Sequence, residues 1–425
     1  MEALLKHRTL LYIAIILFSC LIGYRDLTHT TMGGIYIASF VLFVVLMLPY
    51  DMGVKFSFFI LPFTCGIPGY TITGIFLLLL AKSKHVCIEQ ILPPIIFGIA
   101  EFAHCAFYDF NVEYNIILSF ISFVFLFFYL LFDRNEVNRI DCIKLFIYGS
   151  IATLLIIYIK ILLQNSIEDL ISGSLRSGLN MGLDADEEVE IGFLGMNANS
   201  IGLFSIAVYS LLLILGNKTL KMSGYSYAIL VTLSLAAGFL SFSRTWILLA
   251  CLITFIFLLT LKQRQSRLII FILTAIIVII TQTSILDTGL DTFYERFNSD
   301  KMYGGRFEVF EFYNDFWLSD LKTFFLGAGT VYNMEVANGS LAIHNSFQQI
   351  YVGFGVVGFL FFLFMMAVYI KRYMTKSTPL IYIIPLLSCI LFSQSIQFWY
   401  PSYLVFPYIV TAYALRLSQT NKLYK

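Results

Sequence analysis

The sequence predicts an all-α, polytopic integral membrane protein, and three observations carry that prediction. Of 425 residues, 59% are apolar and only 12% are charged, about half the roughly 25% charged fraction of a soluble globular domain. The apolar residues fall in many separate runs, and a membrane-spanning helix needs about 20 of them in sequence. Aromatic residues reach 17%, led by 43 Phe and 26 Tyr. Together these exclude an ordinary soluble enzyme and a disordered chain. The 27 basic and 26 acidic residues leave a net charge of +1, which offers nothing to a nucleic acid.

The elements follow in order. Lys6, His7 and Arg8 precede an apolar run ending at Tyr24. No small-residue cleavage site follows cleanly and more spans come after it, so the run reads as an uncleaved first helix. Clear spans are 9–24, 33–50, 114–132, 145–163, 197–215, 223–242, 245–261, 268–286, 346–370 and 379–398. Residues 56–81 are uncharged but broken by Pro62, Gly66, Pro68 and Gly69, which predicts two short helices or one kinked span. Segment 86–107 contains Glu89, Glu101 and His104 and is expected to lie in the interface; a proton relay through its acids is the sharper alternative. Residues 400–416 are apolar but hold Pro401 and Pro407. The expected total is about 12 spans, and up to 14, in a single membrane domain over 1–425.

Basic residues set the expected orientation. Loops 262–267 and 371–376 each carry basic and no acidic residues, and with Lys6, Arg8, Lys82, Lys84, Arg134, Arg139, Lys144, Lys218, Lys221 and the C-terminal tail they place 18 of the 27 basic residues on one side. That side is expected to be cytoplasmic, with both termini on it and an even number of spans. The opposite side carries a first long loop, 164–196, and a larger one, 287–345, which together hold 16 of the 26 acidic residues. A connection as long as the second is usually functional when it is ordered. Its stretch 306–318 fits an amphipathic helix with Phe310, Tyr313 and Trp317 on one face. The seven cysteines are scattered, mostly within apolar runs and without a CxxC pair, so neither a disulfide framework nor a metal site is expected.

A few polar residues on the outward side could carry chemistry. Arg244, in SFSRTW, lies at a tight turn between two spans. It reads either as an Arg snorkelling to the headgroups or as a functional cation. Arg306 follows two glycines at the start of the amphipathic stretch, where a guanidinium and free N–H groups together suit a phosphate; a solvated loop charge is the plain reading. Arg296, in YERF, is a weaker candidate of the same kind. His344 is the only His in either long loop, and it could serve as a general base or as a structural hydrogen-bonding residue. Asn345 beside it suits a helix cap. Asn197 and Asn199, in GMNANSIG, suit sugar binding, while Asn199 or Ser200 as an N-cap is the plain alternative. The acidic run DADEE at 184–188 is no convincing metal site.

In their order along the chain, GMNANSIG, SFSRTWILLA, GGRFEVF with FLGAGTVY, and AIHNSFQQIYVGFGVVGFLFFL resemble the bacterial O-antigen polymerase and O-antigen ligase superfamily over roughly 190–370. The resemblance implies glycosyl transfer without a metal or other cofactor, on the outer face of the cytoplasmic membrane, from a glycan carried on undecaprenyl pyrophosphate. By motif, Arg244 and Arg306 would hold the pyrophosphate and His344 would activate or position the acceptor hydroxyl. Arg296, Asn197, Asn199 and Asn345 would contact substrate. The HNSF-to-GFG stretch looks more like the polymerases than the ligases, and for a polymerase a chain-length regulator protein is a possible partner. A lipid-linked glycan transporter is the third reading; transporters usually place charges and broken helices near the midplane.

Overall fold

A computed structural model of the protein describes residues 2–30, 32–108, 114–172, 193–260, 306–329, 343, 345–374, 379–396 and 402–420. Among these, every element is an α- or 3-10 helix. The first six are α1 (Glu2–Leu27), α2 (Gly34–Met47), α3 (Tyr50–Ile60), α4 (Gly69–Lys82), α5 (Ile88–Tyr108) and α6 (Tyr114–Leu131). Then come α7 (Arg139–Gln164), the short α8 (Ile167–Ser172), α9 (Ala198–Thr219), α10 (Gly224–Leu240) and α11 (Arg244–Thr260). The larger loop contributes α12 (Arg306–Trp317) and α13 (Leu321–Leu326), and the chain ends with α14 (Ser346–Tyr373), α15 (Ile384–Phe392) and α16 (Phe406–Thr420). Lys6–Leu27, Arg139–Gln164, Ala198–Thr219 and Ser346–Tyr373 are long and apolar enough to cross a membrane. Shorter apolar helices accompany them, so the described residues are all helical, consistent with a membrane protein. The expected span 268–286 lies outside the described residues.

The ambiguous segments have definite forms. Residues 56–81 become two helices: α3 runs into a 3-10 turn, Leu61–Gly66, and Pro68 caps the start of α4. Segment 86–107 does not lie flat in an interface. It forms α5, which packs on α6 and α14 and buries Gln90, Glu101 and His104. Glu89 and Glu101 are about 18 Å apart along this helix at 1.5 Å per residue, too far for direct proton transfer. Glu89 instead pairs with Arg134 at 3.0 Å and with Arg372.

Helix α9 is the hub, with 89% of its apolar window buried inside the protein. Close packing there depends on small residues. A Cβ on Gly202 would stand 2.8 Å from the Phe392 ring. The crossing of α3 and α7 is tighter still, since a Cβ on Gly149 would stand 2.1 Å from the Phe59 carbonyl oxygen.

The bundle has two polar ends. At one, the basic residues of the short loops satisfy exposed helix C-termini. Lys82 Nζ donates to the carbonyls of Val45, Leu46 and Leu48 at 2.6–2.7 Å. Arg416 donates to the Asp133 carbonyl at 2.8 Å and lies 4.4 Å from the Tyr373 ring centroid. Arg139 pairs with the buried Asp133 at 3.3 Å. These groups come from loops that the charge pattern assigns to one side, and they meet at one end.

At the opposite end the larger loop docks on α14. The α12 face that turns inward is Val309, Tyr313, Phe316 and Trp317, packed with Ile343 and Val352. Phe310, expected on that face, is 40% exposed, because the buried stripe begins one residue earlier. Asp320 caps α13, accepting from the Thr323 N–H at 2.8 Å and from its hydroxyl at 2.8 Å. These bonds hold its carboxyl below the usual range. Beyond it, the FLGAG backbone lies across a break in α14. Gly355 has φ +64°, and a Cβ there would stand 2.3 Å from the Phe325 carbonyl. Gly327, at φ +77°, is equally close to Gly353, while the Ala328 N–H donates to the Val352 carbonyl at 2.9 Å.

Two substitutions test this packing. Gly149→Ala should raise helix propensity but cost about 1–3 kcal/mol through overpacking, read as a lower melting temperature of the purified protein; an unchanged or higher value contradicts the α3–α7 crossing. Gly355→Ala should lower the melting temperature and open the 325–329 segment to proteolysis, since it combines a clash with a left-handed φ. A protease-resistant variant of wild-type stability contradicts that junction.

Candidate functional site

Among the described residues singled out in the sequence, Asn197, Asn199, Arg244 and Asn345 stand at the end opposite the basic loops. Asn197 is the N-cap of α9: its side-chain oxygen accepts from the Ser200 N–H at 2.8 Å and from the Ser200 hydroxyl at 2.9 Å. The cap therefore sits two residues before Asn199, and Asn199 reaches sideways instead. Its Nδ2 donates to the Ser395 carbonyl at 3.4 Å, and its Oδ1 accepts from the Ser243 hydroxyl at 3.4 Å. Both bonds are long, but they tie α9 to two other elements.

Ser243 precedes Arg244, the half-buried first residue of α11. The α10–α11 turn is held tightly. Ser241 donates back to the Gly238 carbonyl at 2.6 Å, and Phe242, 1% exposed, has φ +49°. A bulky residue in that conformation costs about 1–3 kcal/mol, offset here by burial of its ring. Trp246 lies against Gly238, where a Cβ would stand 2.0 Å from the indole. The turn thus presents Arg244 in one place.

Asn345 is the N-cap of α14, accepting from the N–H groups of Phe347 at 3.0 Å and Gln348 at 3.1 Å. Its Nδ2 donates to Gln394 Oε1 at 2.9 Å, and Ser346 donates to the Ile396 carbonyl at 2.6 Å. The 3-10 turn Ser393–Ser395 is therefore a node. Asn199 binds its last residue and Asn345 binds its middle one. The starts of α9 and α14 bond to it directly, and the start of α11 is joined to it through Ser243 and Asn199. Each carries a partial positive charge and unsatisfied N–H groups.

Helix α12 joins the same cluster. Gln348 Nε2 donates to the Phe310 carbonyl at 2.7 Å, and Tyr351 donates to the Asn314 side chain. Arg306 opens α12, one turn or about 6 Å along the axis from Phe310. Its side chain lies outside the described set, as do His344 and Arg296. The residues flanking position 344 are Ile343, packed with Tyr313 and Val352, and the cap Asn345.

Two features escaped the sequence reading. The SQS triplet that forms the node was read as part of an apolar span; three polar residues interrupting ILF and IQF were the available signal. The second is a buried pair at the end of α1. Arg25 and Asp26 are 1% and 0% exposed and meet at 2.6 Å. Arg25 also donates to the Gly66 carbonyl at 2.9 Å, and Asp26 accepts from the Leu194 N–H at 2.6 Å. Phe193 lies between the Arg25 and Lys160 cations, 5.5 and 5.2 Å from its ring centroid. This pair pins the segment that leads into Asn197. The RD dipeptide directly after the first apolar run was its signal.

Trp317 is packed among aromatic neighbours. Its ring lies 4.9 Å from Phe324 and 4.5 Å from Tyr351, and Nε1 donates to the Phe324 carbonyl at 3.1 Å. The DADEE run at 184–188 lies outside the described residues. Below the node an apolar groove of about 260 Å³ descends along α14 towards α15 and α16, lined by Phe127, Phe347, Ile350, Phe362, Met366 and Tyr408, with Ser346 and Ser393 also in its wall.

Comparison with known proteins gives one family match. Residues 228–363 match the family model described as O-antigen ligase. No curated protein and no solved structure matches. The matched stretch runs from α10 into α14 and contains Arg244, Arg306, His344 and Asn345, while Asn197 and Asn199 precede it. Over these residues the chain is similar to the O-antigen ligase family, which supports the resemblance to the O-antigen ligase and polymerase superfamily.

Proposed function

We propose that the protein is a repeat-unit polymerase for a surface polysaccharide such as O-antigen or capsule. It transfers a glycan from undecaprenyl pyrophosphate to an acceptor sugar hydroxyl on the outer face of the cytoplasmic membrane. The observation that carries this reading is the gathering of three helix N-termini and Arg244 around one turn, beside the start of α12. Such an arrangement suits a pyrophosphate. In this reading the basic end faces the cytoplasm, the chain crosses the membrane about 12 and up to 14 times, and the groove beside Ser346 takes the lipid tail.

The chemistry uses no redox partner. The acceptor hydroxyl oxygen attacks the anomeric carbon of the donor sugar as its proton passes to His344. The bond from that carbon to the pyrophosphate oxygen breaks, and its electron pair leaves with the lipid pyrophosphate. Arg244 and Arg306 stabilise the charge that builds on the leaving group, and His344 serves as the base. Asn199 positions α11 against the node, and Asn345 positions the residue before it.

The ligase reading, with transfer to lipid A core, is favoured by the description of the matched family model. A deletion strain separates the two. Loss of the chain-length ladder with single repeat units still attached to core supports a polymerase; loss of all attachment supports a ligase. Unpolymerised lipid-linked units retained on the inner side would instead favour a transporter.

Arg244→Ala, Arg306→Ala and His344→Ala should each lower polymer formation by about 100-fold or more, with normal amounts of protein in the membrane. Arg→Lys at either position should restore only part of it, because the planar fork is lost. Full activity in any Ala variant removes that residue from the site. Asn199→Ala should cost activity by about tenfold to 100-fold through misplacement of the reacting groups, while leaving the melting temperature nearly unchanged. Asn197→Ala should do the reverse, losing about 1 kcal/mol of stability with its cap. Equal effects on stability would contradict the separate roles.

A further inference from the structure

A second polar cavity lies at the basic end of the bundle, far from the site above. It is a cleft of about 430 Å³ whose charged lining is Arg8, Lys55, Lys144 and Lys221 with one carboxylate, Asp141. Lys55 is already neutralised: it pairs with Asp51 at 2.7 Å and with Asp141 at 3.3 Å. Arg8, Lys144 and Lys221 come from α1, from α7 and from the turn after α9. Among the described residues, none of the three has a carboxylate within ion-pair distance. Three cations sharing one cleft repel one another unless an anion joins them.

Two further observations point the same way. Lys221 has φ +51°, the left-handed conformation after a helix C-terminus that glycine ordinarily takes. The turn is closed by the Met222 N–H to the Asn217 carbonyl at 3.0 Å. The sequence thus tolerates local strain where glycine would fit, and gains a cation there. The cleft is also entered by the first turns of α7, whose N-cap Asn138 lines it, so a helix N-terminus adds to the positive field.

The wall of the cleft decides what anion fits. Leu11, Met52 and Leu145 supply apolar surface beside the cations. Tyr12, which also lines the cleft, is 59% exposed, and beside it on α1 Leu10 and Ile13 are 40% and 48% exposed. A phosphate-bearing headgroup could sit among the cations while its acyl chains run along that exposed face. Basic pockets between membrane helices are a recurrent way of holding anionic lipids. We propose that this cleft is a binding site for an anionic phospholipid headgroup, and that the bound lipid fastens α1 to α7 and the α9–α10 turn. The assignment is independent of what the opposite end catalyses.

The test uses the full-length protein in nanodiscs of phosphatidylcholine, with or without phosphatidylglycerol, followed by native mass spectrometry of the lipids retained in an uncharged detergent and by thermal melting. The wild type should retain phosphatidylglycerol in preference to phosphatidylcholine and melt at higher temperature with it. Lys144→Gln and Lys221→Gln should each reduce that retention by about fivefold, without changing melting in phosphatidylcholine alone. Lys221→Gly removes the charge and the strain together, so it should fold at least as stably in phosphatidylcholine and still lose the lipid. Equal retention of the two lipids by the wild type, or undiminished phosphatidylglycerol on all the variants, overturns the proposal. Stabilisation by inorganic phosphate equal to that by phosphatidylglycerol overturns the lipid assignment in favour of a small soluble anion.

Discussion

A helix that starts inside a mostly apolar bundle leaves N–H groups without partners, and little water is at hand to take them. That constraint shapes the end of this protein opposite its basic loops. Asn197 and Asn345 each satisfy a helix start through their own side chains. The amide of Asn345 and the side chain of Asn199 then reach to one short 3-10 turn, Ser393–Ser395. The same bonds that satisfy the helices also fix where they stand relative to one another. Arg244 opens α11 directly after Ser243, whose hydroxyl bonds Asn199, and helix starts brought together in this way suit an anion.

Glycine does the complementary work. The loop bearing α12 and α13 has to lie close to α14, and the approach is backbone against backbone. Gly327 and Gly355 make it possible because both adopt positive φ and neither leaves room for a side chain. Gln348 and Tyr351 then hold α12 by its carbonyl and by Asn314. Arg306, at the start of α12, is thereby tied to the same helix whose cap follows His344. The Arg25–Asp26 pair plays a similar part for the other loop. It is buried, so its desolvation cost is high and its net contribution to stability is small, but it fixes the segment that leads to Asn197.

Much of this was legible in the sequence. The all-helical membrane class follows from composition alone. Among the described residues, Lys82, Arg139 and Arg416, from segments whose basic residues assign them to one side, do meet at one end, where Lys82 satisfies a helix C-terminus. Arg244 at a tight turn and Asn345 at a helix start stand where the motifs imply. What was hidden depends on tertiary contact. Nothing local distinguishes Ser393–Ser395 from a polar blemish in a span, since its meaning lies in partners 49 and 196 residues away. The inward face of α12 was misjudged by one residue for a similar reason: Val309 rather than Phe310 meets α14, and hydrophobicity alone ranks the larger ring first. Segment 86–107 looked interfacial because of its acids, yet Arg134 and Arg372 neutralise Glu89 from other elements.

The central claim is that the Ser393–Ser395 turn draws the start of α9 and the start of α14 together in the working protein. Paired cysteines test it directly. In a variant whose native cysteines are replaced, Asn199→Cys with Ser395→Cys, and Asn345→Cys with Gln394→Cys, should each cross-link in intact membranes with a short bifunctional reagent that cannot cross the membrane, whereas Asn199→Cys with Lys221→Cys should not. Failure of both close pairs to cross-link, or equal reaction of the distant pair, would contradict the arrangement on which the proposed site rests.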